Sequence, residues 1–211
     1  IGVTGVQTCA LPISREPYLA EGFLCWWERS RDLSILLDRL GRAGMFATRL
    51  DEGRVFAAGF SLGGHTALSL LGARVNMQAF RAWAEGRAAG RGPREFPDLG
   101  DRLPQLLRNS PVFQASWERH GASYRDGRVR AALLCAPAPT VHSYTGSSLA
   151  AIGSPVGILV GDADREAPPD CAFWLRDQLP SCELHLFCGG VGHFVFLCQP
   201  TAAGRDALPE L

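Results

Sequence analysis

Short apolar runs alternate with longer amphipathic stretches along the chain. The runs have four to seven residues and end near glycine, proline or charged positions, which is typical of buried strands. This pattern predicts strands at Val55–Ala58, Val129–Cys135, Pro155–Val160 and Glu183–Phe187. Because the runs are largely apolar and helical segments separate them, we expect an α/β fold with a mostly parallel sheet covered by helices on both faces.

Most of the sequence between these runs shows the apolar periodicity of helices. Leucines three and four positions apart predict a helix over Glu28–Arg42. Further helices are expected from just after Ser61 to about Leu71, near Leu149–Ile152 and over Pro168–Leu179. The stretch Arg15–Trp27, which contains proline and glycine, is expected to be irregular.

Residues 76–127 interrupt this alternation. They are rich in charged residues, glycine and proline, with short helical pieces expected near Met77–Ala84 and Arg102–Arg108. An insertion of this length in a compact domain is typical of a functional cap or lid. Its aromatic side chains either line a substrate pocket or anchor the insertion, and the sequence favours neither: Trp83, Phe96, Phe113 and Trp117.

We expect the first residues to differ in origin from the rest. Val3–Ile13, reading VTGVQTCALPI, resembles the translation of a common sequencing-library adapter. A signal peptide would need a basic segment and a continuous apolar one, and this stretch has neither. We therefore interpret residues 1–13 as an artefact and expect the natural sequence to begin near Ser14. On this interpretation, residues 14–211 form a partial domain, the C-terminal part of a longer protein cut off upstream.

Composition narrows the range of functions. The chain has 211 residues, 46% of them hydrophobic and 20% charged, with a formal net charge of +0. These values indicate one domain with a sizeable core and favour neither nucleic acid nor a membrane surface as a partner. No apolar run approaches the roughly 18 residues of a membrane span. The seven cysteines form no C-x-x-C pair, which predicts buried free thiols rather than a zinc site or a disulfide framework.

The first predicted strand leads directly into a G-x-S-x-G pattern, Gly59–Gly63, and a helix follows. A sharp strand-to-helix turn of this kind holds a serine hydroxyl in the open, where a base can activate it. We therefore expect Ser61 to be a nucleophile and the backbone N–H of Leu62 to stabilise the oxyanion. Crowding at the turn predicts that positions 59 and 63 must both be small.

The matching acid and base follow the last two predicted strands. In parallel α/β sheets, catalytic groups collect at the carboxyl ends of the strands. Asp162 and Asp164 follow the third strand, and His193 follows the fourth, which gives the chain order Ser, Asp, His. His193 is the expected base. We prefer Asp164 as the acid, with Asp162 bracing the loop, but the sequence leaves both open.

Three motifs, GFSLGGHTAL, GDADREAPP and GHFVFL, together resemble the predicted dienelactone hydrolases of the α/β-hydrolase superfamily, a group similar to platelet-activating-factor acetylhydrolases. The resemblance covers about Trp26–Leu197. It implies an α/β-hydrolase fold with Ser61 as nucleophile, Asp164 as acid and His193 as base. Well-known dienelactone hydrolases use cysteine as the nucleophile, so a serine favours general esters over lactones. The superfamily's second oxyanion donor comes from a loop that we expect upstream of this chain.

These features predict a serine hydrolase that cleaves carboxylic esters, lactones included, through an acyl-enzyme. The expected partner is a small-molecule ester, with no nucleic acid and no membrane span, and the chemistry requires no metal or organic cofactor. Two alternatives remain at this stage. An acyltransferase or a peptidase could use the same three residues, and a non-catalytic hydrolase-fold protein could serve as a binding module.

Overall fold

A four-stranded parallel sheet organises the protein. The computed structural model describes residues 20–42, 49–86, 98–199 and 201–202, so the expectations for residues 1–13 and for Phe96 lie outside the described residues. The strands run in the order β1 to β4, and every neighbouring pair is parallel. Their bounds are β1 Val55–Phe60, β2 Val129–Cys135, β3 Val156–Gly161 and β4 Cys182–Phe187. All four predicted strands are therefore confirmed, with ends that differ by at most two residues.

Eight helices accompany the sheet in the part of the chain that the structure describes. They are α1 Ala20–Leu24, α2 Glu28–Arg42, α3 Leu62–Leu70, α4 Met77–Glu85, α5 Leu99–Asn109, α6 Pro111–Trp117, α7 Gly146–Ala150 and α8 Pro169–Gln178. The α/β fold with a parallel sheet flanked by helices is thus confirmed. Two expectations were wrong. Helix α1 lies in the stretch expected to be irregular, and α6 was not expected at all.

The main core lies on one face of the sheet. Leu134 of β2 and Ile158 of β3 are fully buried and belong to one apolar cluster with side chains of α3 and α8. On the other face, Phe56 is 66% exposed, Leu133 40% and Phe187 37%. Side chains alternate between the two faces along each strand, so these three residues mark an opposite surface that the described helices leave partly open. The expectation that both faces are covered was wrong for this part of the chain.

Side chains of the insertion anchor it to the first two helices. Phe113 on α6 is almost fully buried, and Trp117 packs edge-on against Trp27 with ring centroids 5.9 Å apart. Trp27 Nε1 donates a hydrogen bond of 3.0 Å to Ser116 Oγ. Glu28 accepts from Ser116 Oγ and from the Arg119 guanidinium, each at 2.8 Å. For Phe113 and Trp117 the structure therefore shows anchoring.

Trp83, a further aromatic residue of the insertion, also packs against the body of the protein. Trp83 on α4 stacks on His142 with ring centroids 4.4 Å apart and planes 12° apart. His142 lies in the 3₁₀ turn Pro139–Ser143, and its ring also packs on Trp174 of α8, with ring centroids 4.7 Å apart. Trp83 thus joins α4 to the helix layer over β3 and β4.

The structure confirms only part of what the sequence predicts for the cysteines. The six described cysteines are all free, as expected. Only Cys171 is buried, whereas Cys188 and Cys198 are exposed, so the expectation of general burial was wrong. None of the helices described above combines the length and apolar composition that a membrane span requires.

One buried histidine lies inside the helix that follows the serine turn. His65 on α3 is fully buried and stacks on Tyr144, with ring centroids 4.5 Å apart. Burial lowers the pKa of His65 to about 3, because the interior disfavours the imidazolium. The folded protein therefore holds this ring neutral at pH values where the unfolded chain protonates it.

This difference in pKa makes stability depend on pH. Between an ordinary histidine pKa of about 6.5 and about 3, the unfolded chain binds the extra proton. We expect the free energy of unfolding to fall as the pH drops through this range, with His65 contributing up to about 1.4 kcal/mol per pH unit. Denaturant unfolding between pH 7 and pH 4 measures this slope.

His65→Phe keeps the stacked ring and removes the titration, so it should flatten the slope. His185→Phe, at an exposed position on β4, is the matched control and should keep the wild-type slope. An unchanged slope in His65→Phe would contradict this prediction.

Candidate active site

Ser61 occupies the turn between β1 and α3 with a backbone that non-glycine residues rarely adopt. Its φ is 53° and its ψ is −117°. Such a conformation persists only where its surroundings hold it. Three backbone hydrogen bonds do so here. Ser61 N–H donates to Cys135 at 2.8 Å, and the Ser61 carbonyl accepts from Gly64 at 2.9 Å and from Ala138 at 3.2 Å. The hydroxyl is therefore held at the carboxyl end of β1.

The close approach in this turn depends on Gly59. A Cβ atom at position 59 would collide with the Gly63 carbonyl and would lie 2.6 Å from the Gly64 nitrogen. At Gly63, a Cβ would meet no atom of the described residues within 4 Å. The expectation of a small residue is confirmed for position 59 and wrong for position 63. The crowding is between the strand end and the helix backbone, and a side chain at position 63 would point away from it.

Asp164 and His193 form a buried pair at the carboxyl ends of β3 and β4. Asp164 Oδ2 lies 2.7 Å from His193 Nδ1, and the two side chains are 0% and 6% exposed. The other carboxylate oxygen, Oδ1, accepts from the backbone N–H groups of Glu166 at 3.0 Å and Ala167 at 2.7 Å. These bonds fix the orientation of the carboxylate, so the carboxylate in turn fixes the imidazole.

The pair also determines which ring nitrogen can act as a base. A carboxylate only accepts hydrogen bonds, so Nδ1 of His193 carries the hydrogen that it donates to Asp164. In the neutral ring, Nε2 is then left with its lone pair. A ring held in this way can take a proton from a neighbouring hydroxyl while Asp164 stabilises the imidazolium that results.

Phe60 brings the imidazole to the serine turn. The rings of Phe60 and His193 have centroids 4.6 Å apart and planes 44° apart. Phe60 immediately precedes Ser61, so the imidazole lies beside the turn that carries the hydroxyl. In the described structure, Ser61 Oγ makes no hydrogen bond to His193 or to another residue. The sequence analysis missed this role of Phe60, although its position before the serine at the strand end was a usable signal.

Asp162 is not hydrogen-bonded to His193 in the described structure and instead braces the loop before it. Its carboxylate accepts from the N–H groups of Gly189, Gly190 and Val191. The N–H groups of Gly189 and Val191 contribute most to holding the pKa of Asp162 below its usual range. Of the two aspartates that the sequence left open, the structure therefore brings Asp164 to the imidazole.

The backbone N–H of Leu62 is available at the start of α3. Leu62 is the first residue of that helix, where N–H groups lack an acceptor within the helix. No acceptor for this N–H exists among the described residues. A helix N-terminus also favours negative charge, so this donor suits an oxyanion.

A cavity of about 560 Å³ opens beside the imidazole. Its walls come from the two loops that carry Asp164 and His193 and from the turn that follows. Apolar side chains of Phe194, Val195 and Leu197 face it together with the charged groups of Arg165 and Glu166. The volume is in the range of small-molecule sites.

Neither a protein-family model nor a curated protein sequence matches this chain. Solved structures of α/β hydrolases are similar to it. An α/β-hydrolase enzyme from the metagenome of sediments from the lagoon of Mar Chica, Morocco, is 17% identical with a TM-score of 0.39, over 88% of this chain and 68% of that protein. The monoacylglycerol lipase of Paleococcus ferrophilus is 18% identical with a TM-score of 0.42, over 86% and 71% respectively. Thermogutta terrifontis esterase 2, phosphonylated by cyclosarin, is 20% identical with a TM-score of 0.35, over 72% and 50%.

The two glycines of the turn allow a matched test of its geometry. Gly59→Ala places a methyl group against the Gly63 carbonyl, so we expect it to lower the free energy of unfolding by about 3 kcal/mol or more. Gly63→Ala adds the same methyl group in open space within α3 and should change it by less than about 1 kcal/mol. Denaturant unfolding of both variants measures the difference. Equal losses in the two variants would contradict this description of the turn.

Proposed function

We propose that the chain is a serine hydrolase that cleaves carboxylic esters through an acyl-enzyme. The observation that carries the proposal is the buried Asp164–His193 pair, whose ring packs on Phe60 directly before Ser61. A nucleophile in a tight turn, a base beside it and an acid behind the base are the parts that acyl transfer needs. The motif resemblance to predicted dienelactone hydrolases suggests a finer class, in which a serine nucleophile favours general esters over lactones.

The reaction begins when Ser61 Oγ attacks the acyl carbonyl carbon and His193 Nε2 takes the hydroxyl proton. Leu62 N–H stabilises the negative charge that develops on the carbonyl oxygen. The tetrahedral intermediate then collapses, the alcohol leaves with the proton from His193, and the acyl group remains on Ser61. Asp164 stabilises the imidazolium at each stage. No metal or organic cofactor takes part in this sequence.

Water completes the cycle in the second half of the reaction. His193 takes a proton from a water molecule, whose oxygen attacks the acyl carbon. The second intermediate collapses and releases the carboxylic acid, and His193 gives the proton to the departing Ser61 Oγ. The cavity beside His193 is the proposed site for one part of the ester, and its mixed lining suits a substrate with both apolar and polar groups.

A fluorophosphonate probe tests the nucleophile. We expect it to label wild-type protein at Ser61, because phosphorus accepts the activated hydroxyl as the acyl carbon does. Ser61→Ala should abolish labelling and His193→Ala should strongly weaken it. Ser147→Ala, at an exposed serine of α7, is the control and should label normally. Mass spectrometry of the labelled peptide identifies the site. Folded protein that stays unlabelled would contradict the proposal and favour a binding module.

The acid has a separate test. Asp164→Asn presents an amide to His193 Nδ1 and favours the wrong ring tautomer, so ester hydrolysis should fall on the order of 10³–10⁴-fold in kcat. Asp177→Asn, at an exposed position near the end of α8, should keep wild-type kcat. Steady-state hydrolysis of a short chromogenic ester measures both. A fall of less than tenfold in Asp164→Asn would argue against its role as the acid.

A further inference from the structure

The loop that carries the base has an unusual backbone. We call Cys188–Gly192, between β4 and His193, the base loop. Gly189 has a φ of 107° and Gly190 a φ of 83°, both in the left-handed region that favours glycine. Two successive residues of this kind turn neighbouring N–H groups toward the same side of the chain. The N–H groups of residues 189, 190 and 191 consequently converge.

The point of convergence is a single carboxylate. Asp162 Oδ2 accepts from Gly189 N–H at 2.9 Å, and Oδ1 accepts from Gly190 N–H at 3.0 Å and Val191 N–H at 2.8 Å. Hydrogen bonds to an ionised acceptor are stronger than neutral ones. No other residue of the described chain accepts from these three N–H groups.

Backbone contacts join the same two loops. We call Gly161–Asp164, which comprises the last residue of β3 and the three that follow it, the acid loop. Asp162 N–H donates to the Phe187 carbonyl at 2.9 Å, and Ala163 N–H donates to the Val191 carbonyl at 3.0 Å. Any Cβ at Gly161 would collide with the Val191 carbonyl. The acid loop and the base loop therefore lie in direct backbone contact, and Asp162 accepts all three side-chain hydrogen bonds between them.

We propose that Asp162 is a positioning residue for His193. Its carboxylate fixes the base loop to the acid loop, and this holds the imidazole at Asp164 and against Phe60. The proposal rests on the proposed function, in which His193 is the base. Within the described structure, Asp162 makes no hydrogen bond to the imidazole or to the serine, so it acts through the placement of the ring.

Because Asp162 is exposed, its role in positioning His193 can be distinguished experimentally from a contribution to the overall stability of the protein. The carboxylate is exposed, so water can solvate the three N–H groups when it is removed. The global free energy of unfolding should then change little. The base loop, by contrast, would lose the acceptor that fixes its two left-handed residues. A displacement of about 1 Å at a catalytic group can cost on the order of 10²-fold in rate.

The kinetic test compares Asp162→Ala, Asp162→Asn and Asp51→Asn. We expect Asp162→Ala to lower kcat by about tenfold to 100-fold with KM nearly unchanged. Asp162→Asn keeps one acceptor oxygen and should lose less. Asp51→Asn is the control, because Asp51 is an exposed aspartate that accepts from Gly53 N–H in the turn at the opposite end of β1. It should keep wild-type kcat, and all three variants should keep unfolding midpoints close to wild type.

A spectroscopic readout makes the test independent of turnover. The Nδ1 proton of His193, bonded to Asp164, should give a low-field proton resonance in the wild type that His193→Gln removes. In Asp162→Ala we expect this resonance to broaden or disappear through faster exchange with water. Asp51→Asn should leave it unchanged.

The outcomes separate the two proposals. Wild-type protein without hydrolase activity or labelling, whose low-field resonance still depends on Asp162, would overturn the proposed function and leave the placement of His193 by Asp162 supported. An active wild type with unchanged kcat and resonance in Asp162→Ala would overturn the positioning role. A rise in KM or a fall in kcat without a change in the resonance would also overturn it, because the imidazole would then not have moved.

Discussion

The turn at Ser61 is the constraint on which the rest of the site depends. A serine with φ 53° is stable there because its N–H donates to Cys135 at the end of β2 and its carbonyl accepts from Gly64 and Ala138. The absence of a side chain at Gly59 lets α3 start against the end of β1. Those contacts fix where the hydroxyl, the Leu62 N–H and the ring of Phe60 lie relative to the sheet. The turn also holds Phe60 in place, and the imidazole of His193 packs on its ring.

The sheet and the order of the site residues could be predicted from the sequence, because both depend on local patterns. Apolar runs of strand length fixed β1 to β4, and the G-x-S-x-G pattern lay between a strand and a helix. The choice between Asp162 and Asp164 could not be made with certainty, since it depends on how the loop after β3 turns. The positions of the three N–H groups around Asp162 depend on two glycines at φ values that no periodicity reveals.

The sequence was least informative where long-range packing decides the structure. Helix α6 is only seven residues long, and its first turn is set by the Ser110 hydroxyl that accepts from Phe113 N–H and by Pro111. Ser116 of α6 is hydrogen-bonded to Trp27, which lies 89 positions earlier in the chain. No local sequence pattern can indicate a contact over that separation. The wrong expectation that helices cover both faces of the sheet has a similar cause. Alternation shows which side chains point together, but not whether a helix covers them.

The contact between α6 and the start of α2 has a consequence for the order of folding. Joining Trp27 to Ser116 closes a loop of 89 residues, and the entropy lost in closing a loop grows with its length. The parallel pairing of β1 with β2 encloses the same insertion, because the chain between these strands contains α3 to α6. Once β1 has paired with β2, much of the entropy cost of closing the loop between Trp27 and Ser116 has already been incurred. The insertion should then dock late, onto a sheet that is already assembled.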